Sequence, residues 1–145
     1  MPVKKNLQNL QLMLNRAVRF IFRPGRTEHI TPYLKKLHFL PISFRIKFKI
    51  CLVSFKVYNN MAPNYLKKDF KLFRPQTNIS LRPGAGRDEC MFNVTVLPHR
   101  KDTILQIFKE EWNRLPLELR QLNSLQIFKR RLKHHFFRKA FPDDT

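Results

Sequence analysis

The stretch that most constrains the fold runs from Ile42 to Tyr58, because its apolar residues form two faces at the helical period of 3.6 residues. The first face is largely aromatic and the second is β-branched aliphatic: Phe44, Phe48, Cys51, Phe55 and Tyr58 against Ile46, Ile50, Val53 and Val57. A helix that is apolar on two sides has to be covered on both. The sequence therefore predicts a central helix over 42–58.

A strand is the competing interpretation of this stretch, because apolar and polar residues alternate from 42 to 52. The alternation breaks at Leu52 and Val53, and the stretch far exceeds the usual ~5 to 6 residues of a strand, so its length favours a helix. Ser43 is the expected N-cap, since its hydroxyl can accept hydrogen bonds from the free amides of the first turn.

Other segments also carry helical patterns, so the sequence predicts a mainly α fold of about six or seven helices. The further segments are 7–22, 31–37, 63–73, 103–114, a short turn from Pro116, and 125–139. Thr31, Thr103 and Ser124 are the expected N-caps of three of them, with Gln106 completing a capping box. Period-two alternation at 90–97 predicts a strand, and 79–82 is its candidate partner in a short β-hairpin.

The first and last of these helices are amphipathic. The apolar face of 7–22 has the i, i+3, i+4 spacing of a core-facing helix: Leu7, Leu10, Leu14, Ala17, Val18 and Ile21. The apolar stripe of 125–139 is narrower: Leu125, Phe128, Leu132 and Phe136. We therefore expect both helices to pack on a core through these residues.

The predicted helices form two clusters joined by a connector. Residues 1–73 make a basic cluster around the 42–58 helix, and 101–141 make a second helical cluster. Between them, 74–89 contains two prolines and two of the three glycines, so 74–100, including the hairpin, is the expected connector. We expect one domain overall, with 142–145 as a frayed tail.

The charge of the chain indicates a polyanionic partner. There are 29 Lys and Arg against 10 Asp and Glu, a formal net charge of +19, whereas 43% hydrophobic content and 14 Phe exclude a wholly disordered chain. Residues 1–72 hold 15 basic and two acidic residues, and 124–141 hold six basic and no acidic ones. Nucleic acid and an anionic membrane surface are the partner classes that such a charge favours.

The candidate nucleic-acid contacts are basic residues off the predicted apolar faces. For each the alternative is an ordinary solvated helix surface. They are Arg16, Arg19, Arg45, Lys49, Lys56, Lys67, Lys68, Arg130, Arg131, His134 and Arg138. Phe137 and Phe141 are candidates for base stacking, because they lie near cations and outside the stripe of the last helix, although most aromatics in a Phe-rich chain are core.

Nothing in the sequence indicates catalysis, a metal or a cofactor. Glu110 and Glu111 are expected on a solvated helix face, not as an acid–base pair. His134 and His135 have no third ligand nearby in the sequence. The few glycines form no phosphate-binding loop. We therefore expect a protein that is not an enzyme and has neither a metal nor a cofactor.

Cysteine usage and hydropathy bear on location. Cys51 and Cys90 form no CxxC pair, so neither a zinc knuckle nor a disulfide framework is predicted. No run approaches ~18 uncharged apolar residues, and MPVKKNLQNL lacks a secretory apolar core. We expect an intracellular protein of the nucleus or cytoplasm that is not secreted and has no transmembrane segment.

Three stretches carry a family resemblance: LNRAVRFIF, EHITPYLKKLHFLPISFRIKFKICLVSFKVYNNMAPNYL and WNRLPLELRQLNSLQIFKRRLKHHFF. They closely resemble the C-terminal region that follows the reverse transcriptase domain in animal non-LTR retrotransposon polyproteins. The resemblance covers about 10–141 and rests on ordered landmarks, which are Arg16 and Arg19; His29, Ile30, Thr31 and Pro32; Leu40 and Pro41 with Arg45 and Lys49; Ala62 and Pro63 with Tyr65 and Leu66; Trp112 and Asn113 with Leu115 and Pro116; and Phe128 with Lys129.

The resemblance implies a piece of an element-encoded RNA-directed DNA polymerase that copies its own RNA into DNA at a nicked target. The chain departs from the whole enzyme: it has no aromatic-x-Asp-Asp metal motif, no endonuclease and no cysteine-rich knuckle, and Asp143–Asp144 belongs to the predicted tail. We therefore expect a non-catalytic segment that binds RNA or DNA through phosphates, with the polymerase portion as a further candidate partner. The alternatives are a protein-interaction or structural module, and a decayed element fragment without a selected function.

Overall fold

The computed structural model describes residues 2–64, Leu66 and 104–142, and these residues form six α-helices and no strand. The mainly α prediction is confirmed for this part of the chain. The helices are α1 (Pro2–Phe22), α2 (Thr31–Lys36), α3 (Ile42–Tyr58), α4 (Ile104–Asn113), α5 (Leu117–Arg120) and α6 (Leu125–Ala140). The predicted helix over 63–73, apart from its first residues, and the whole 74–100 connector with its hairpin lie outside the described residues, as does the Thr103 cap.

The central helix has the predicted bounds, and its aromatic face is the one that is packed. Cys51 and Phe55 are fully buried on this face, and Phe48 is 9% exposed. The aliphatic face is covered unevenly, since Val57 is buried but Ile46 is 41% exposed. Phe44 and Tyr58, at the ends of the aromatic face, are half-buried, so cover is complete only at the middle of that face and is partial on the other.

The predicted N-cap of α3 is wrong, and a long-range contact takes its place. Ser43 lies inside the helix, because the N–H of Arg45 already donates to the carbonyl of Pro41. The free amide of Ile42 instead donates to Oε1 of Gln11, 31 residues earlier in α1, at 2.8 Å. A glutamine on one helix thus satisfies a backbone donor that every helix leaves unpaired at its start.

The start of α2 also differs from the prediction. Ile30 is the N-cap and makes no side-chain cap bond, so Thr31 is the first helical residue and Pro32 follows it within the first turn. Proline is tolerated there because the first-turn amides have no intrahelical acceptor. The end of α2 is a Schellman turn in which His38 has φ 50° and the N–H of Phe39 donates to the carbonyl of Leu34.

The chain divides into two compact units, and both boundaries fall inside helices. Met1–Phe48 and Lys133–Thr145 form unit 1, and Lys49–Leu132 forms unit 2. The C-terminal part of α6 belongs with α1 and α2 in unit 1, and the division at 74–100 that the sequence predicts stays a prediction, because that connector lies outside the described residues. The periodicity of a sequence does not show that a C-terminal segment packs against N-terminal helices.

The core of unit 1 joins α1, α2 and the residue after α6. Val18, Leu34 and Phe141 are buried together, and Leu14 and Leu37 pack against them. Only part of the predicted apolar face of α1 is used, since Leu10, Ala17 and Ile21 are exposed. The expectation that this whole face packs on the core is therefore wrong.

The core of unit 2 is aromatic. The ring of Phe128 stacks on Phe55 with centroids 4.2 Å apart, and Trp112 lies 6.0 Å from Phe128. Trp112 also stacks on Tyr58 at 5.7 Å, while the thiol of Cys51 donates to the carbonyl of Glu111 at 3.7 Å. These contacts attach α3, α4 and the first half of α6 to one another.

A buried arginine shapes the turn between α4 and α6. Pro116 precedes α5, as predicted, and Arg120 at the end of α5 is almost fully buried. Its Nε donates to the carbonyl of Leu115 at 3.0 Å. Ser124 occupies the N-cap position of α6, because its carbonyl accepts the N–H of Phe128. None of the described helices is both long and apolar enough to cross a bilayer.

Candidate nucleic-acid interface

The outer side of α6 carries the densest group of exposed cations in the described residues. Phe128, Leu132 and Phe136 are buried at a spacing of four residues, which confirms these positions of the predicted stripe. Their burial shows which side of α6 is packed and which side is exposed. The sequence of α6 contains no carboxylate. Its exposed basic residues are Lys129, Arg130, Arg131, Lys133, His134, Arg138 and Lys139, which we call the α6 basic face.

Four predicted contacts lie together on this face: Arg130, Arg131, His134 and Arg138. Their predicted exposure is confirmed, whereas their contact with nucleic acid stays a prediction. The predicted contacts do not include the lysines of the face. Lys129 and Lys133 flank the apolar stripe, whereas Lys139 lies on the side of the stripe itself and is exposed at the end of the helix. A simpler criterion, the presence of a cation at any position off the stripe, would have found Lys129 and Lys133.

The arginines of the α6 basic face have no counter-charge among the residues that the structure describes. In the described ranges no carboxylate pairs with Arg130, Arg131 or Arg138. The contrast is Arg114, whose guanidinium lies 3.5 Å from the carboxylate of Glu110 and 3.1 Å from that of Glu111. A cation without an internal partner keeps its full attraction for an external anion, so the α6 basic face is electrostatically available for phosphate.

One histidine near the face is held neutral. Burial lowers the pKa of His135, and the positive charges of Lys139 and His134 act in the same direction. Its ring lies edge-on to Phe136 at 5.5 Å, and its buried Nε2 has no hydrogen-bond partner among the described residues. At neutral pH His135 therefore packs the edge of the core and adds no charge to the α6 basic face.

A second, smaller row of cations follows α3. Arg45, Lys49 and Lys56 are all exposed and share one side of the helix, as predicted. The row extends ~16 Å along the axis. The sequence of α3 contains no acidic residue. These three residues are thus a second exposed row of cations, whose binding role stays a prediction.

The two predicted arginines of α1 differ in their surroundings. Arg16 is exposed. Arg19 instead donates from its guanidinium to the carbonyls of Gly25 at 3.2 Å and Glu28 at 3.1 Å, so it holds the loop after α1 in place. The hydroxyl of Tyr33 donates to the Glu28 carboxylate, and this bond lowers the pKa of Glu28 and raises that of Tyr33. The structure gives Arg19 a structural role, and its contact with phosphate stays a prediction.

The stacking prediction fails for Phe141. This residue is 5% exposed and sits in the core of unit 1, with Lys35 Nζ 5.6 Å from its ring centroid. A ring enclosed in this way has no free face for a base. Phe137 is half-buried and packs edge-on against Phe141 at 4.8 Å, so stacking on its remaining surface stays a prediction.

The remaining predicted residues do not form a second kind of site. Lys67 and Lys68 lie outside the described residues. The side chain of Glu111, expected in solvent, is only 11% exposed and is paired with Arg114. No group of three metal-ligating side chains occurs in the ranges that the structure describes.

No family model, curated protein or solved structure matches this chain.

Proposed function

We propose that this chain is a non-catalytic segment that binds nucleic acid through phosphates, from the region that follows the polymerase in a retrotransposon-encoded reverse transcriptase. The observation that carries the binding proposal is the α6 basic face, which is exposed, contains no carboxylate, and has arginines without ion-pair partners in the described residues. The resemblance of the three sequence stretches supports the origin.

The binding mode follows from the chemistry of this face. Arginine presents a planar fork of donors that matches phosphate oxygens, and lysine adds point charge. Each phosphate that is neutralised releases condensed counterions, so the logarithm of the binding constant falls by about 0.7 to 0.9 per contact for each unit of log salt. Backbone contacts of this kind fix the position of the nucleic acid without reading its bases. The proposal is therefore binding with steep salt dependence and weak sequence preference.

The test is the salt slope of a variant that lacks three arginines of the face. Arg130, Arg131 and Arg138 are changed together to Ala, and binding to labelled single-stranded RNA and duplex DNA is measured by anisotropy over a range of NaCl concentrations. The slope should fall by roughly two to three. Exposed substitutions usually shift stability by less than about 0.5 kcal/mol, so circular dichroism melts should change little.

The matched control removes the same charge elsewhere. Lys5, Arg26 and Lys36 are exposed, and their triple Ala variant should lose less than about one unit of slope. Equal losses in the two triple variants would show that the charge acts diffusely and would overturn a dedicated face. If the Ala variant of α6 loses helicity, Gln at the same three positions gives the comparison at similar side-chain length and helix propensity.

The origin and the absence of catalysis are tested separately. A polymerase coding sequence in frame with Met1 and immediately upstream of it would support the retrotransposon origin, and an unrelated upstream sequence would count against it. Purified protein should neither incorporate nucleotides nor cleave nucleic acid with Mg²⁺ or Mn²⁺, because two-metal catalysis needs carboxylates fixed on a packed core. Activity that survives rigorous purification would overturn the non-catalytic assignment.

A further inference from the structure

A band of exposed apolar side chains runs along α1. Leu10, Met13, Phe20 and Ile21 are 48%, 64%, 82% and 59% exposed, and Ala17 lies between them on the same side. Positions 10, 13, 17 and 20 follow the three–four spacing of a heptad seam, the pattern by which one helix packs along another. We call these five residues the α1 band.

The α1 band is not the face that holds α1 in the fold. Val18 is buried against Leu34, with Leu14 packed beside it, and Gln11 accepts the amide of Ile42. These residues fix the rotation of the helix about its axis. The α1 band is therefore exposed on a helix whose other side already makes the internal contacts.

The size of the α1 band suits one docked helix. With ~200 Å² for a fully exposed large apolar side chain, the four large residues expose roughly 500 Å² together. Stable interfaces between globular proteins bury ~800 Å² on each partner. The α1 band alone falls short of that area, but it matches the short row of anchors used when an amphipathic helix lies on a protein surface.

The charge beside the α1 band selects the partner. Lys5 and Arg16 are exposed along the edge away from the core, and α1 contains no carboxylate. A second copy of α1 would therefore offer no acid to these cations in either orientation, and the net charge of +19 opposes self-association. A helix with acidic residues along its edge would satisfy both cations.

A membrane surface fits less well. An in-plane amphipathic helix buries a broad apolar side that is bordered by polar residues. The α1 band spans only roughly 100° of the helix circumference. Its other edge runs into Leu14 and Val18, which belong to the core of unit 1. The rest of the fold therefore restricts how far α1 can sink into a bilayer.

We propose that the α1 band is a docking surface for an amphipathic helix of another protein, with apolar residues at heptad spacing and acidic residues along the edge that faces Lys5 and Arg16. This surface shares no residue with the α6 basic face. Its anchors are Met13 and Phe20, the two most exposed large residues of the α1 band.

The test uses the full chain and two designed helical peptides. Both peptides carry Leu at the seam positions, and they differ only in having Glu or Lys along the edges. Calorimetry should give at least tenfold tighter binding to the Glu peptide. The double variant Met13→Asp, Phe20→Asp should weaken that binding at least tenfold while circular dichroism stays unchanged, because both side chains are exposed.

The control keeps the charge change and spares the α1 band. Gln121 and Gln126 are exposed and lie outside α1, and their double Asp variant should bind the Glu peptide within about twofold of the original chain. Equal weakening in both double variants would reduce the effect to net charge and overturn the proposal.

Sedimentation that shows self-association abolished by the Met13 and Phe20 changes would assign the α1 band to a second copy. Binding to phosphatidylserine vesicles that is lost in the same variant, without binding of the Glu peptide, would assign it to a membrane.

Discussion

Replacing Phe128 by Ala should remove much of the stability of unit 2. The side chain is fully buried, its ring stacks on Phe55 at 4.2 Å, and Trp112 lies 6.0 Å away. Phe→Ala substitutions in cores cost about 3 to 5 kcal/mol, combining lost transfer free energy with the cavity left behind. Since contacts to two aromatic rings are lost, we expect a cost of about 4 kcal/mol.

Phe128→Leu separates the two parts of that loss. Leucine keeps most of the buried apolar area but cannot stack on Phe55. Aromatic pairs contribute about 0.5 to 1.5 kcal/mol beyond their area, so the leucine variant should lose only about 1 to 1.5 kcal/mol. The leucine variant should also stay folded enough for its unfolding to be measured. The alanine variant loses about 4 kcal/mol, which is a large share of a typical domain stability of about 5 to 15 kcal/mol.

Urea unfolding followed by tryptophan fluorescence is the assay. Trp112 is the single tryptophan of the chain and is fully buried beside Phe128, so its emission reports on unit 2. The control is Ile127→Ala, one position earlier on α6 and 40% exposed, which should change the free energy of unfolding by less than about 0.5 kcal/mol. A cost for Phe128→Ala no larger than for Ile127→Ala would refute the packing of α6 on α3 and α4.

Two further predictions concern a long-range cap and a titration. Gln11→Ala should cost about 1 kcal/mol and speed hydrogen exchange at Ile42, whose amide loses its acceptor, whereas Gln8→Ala on the exposed side should do neither; unchanged exchange at Ile42 would contradict this cap. The lowered pKa of His135 means that the unfolded chain binds the proton more readily, so its contribution to stability is fully present above about pH 6.5 and is lost as the pH falls towards the folded pKa. Thermal melts between pH 7.5 and 5 should show this decline, and His135→Phe should reduce it while His29→Gln, at an exposed position away from His135, should not; equal declines in all three proteins would refute the assignment.

The sequence by itself determined the helices and the direction of their strongest faces. The bounds of α3, the stripe of Phe128, Leu132 and Phe136, and the exposed arginines opposite that stripe all follow from a period of 3.6 residues. This signal is local, because every residue of a helix is placed by its neighbours within a few positions. Most of the candidate binding site could therefore be predicted, since it lies on single helices.

The tertiary structure decided which surfaces are covered. Phe141 lies one residue past the end of α6, where helical spacing no longer places it, and it is buried because Val18 and Leu34 meet it from α1 and α2. Gln11 caps α3 across 31 residues, a pairing with no local pattern. Apolar spacing showed that α1 is amphipathic, but only the packed fold shows that Val18 is buried while Ile21, on the same predicted face, is 59% exposed. Burial depends on contacts between residues far apart in the chain, and a single sequence does not encode those contacts as a period.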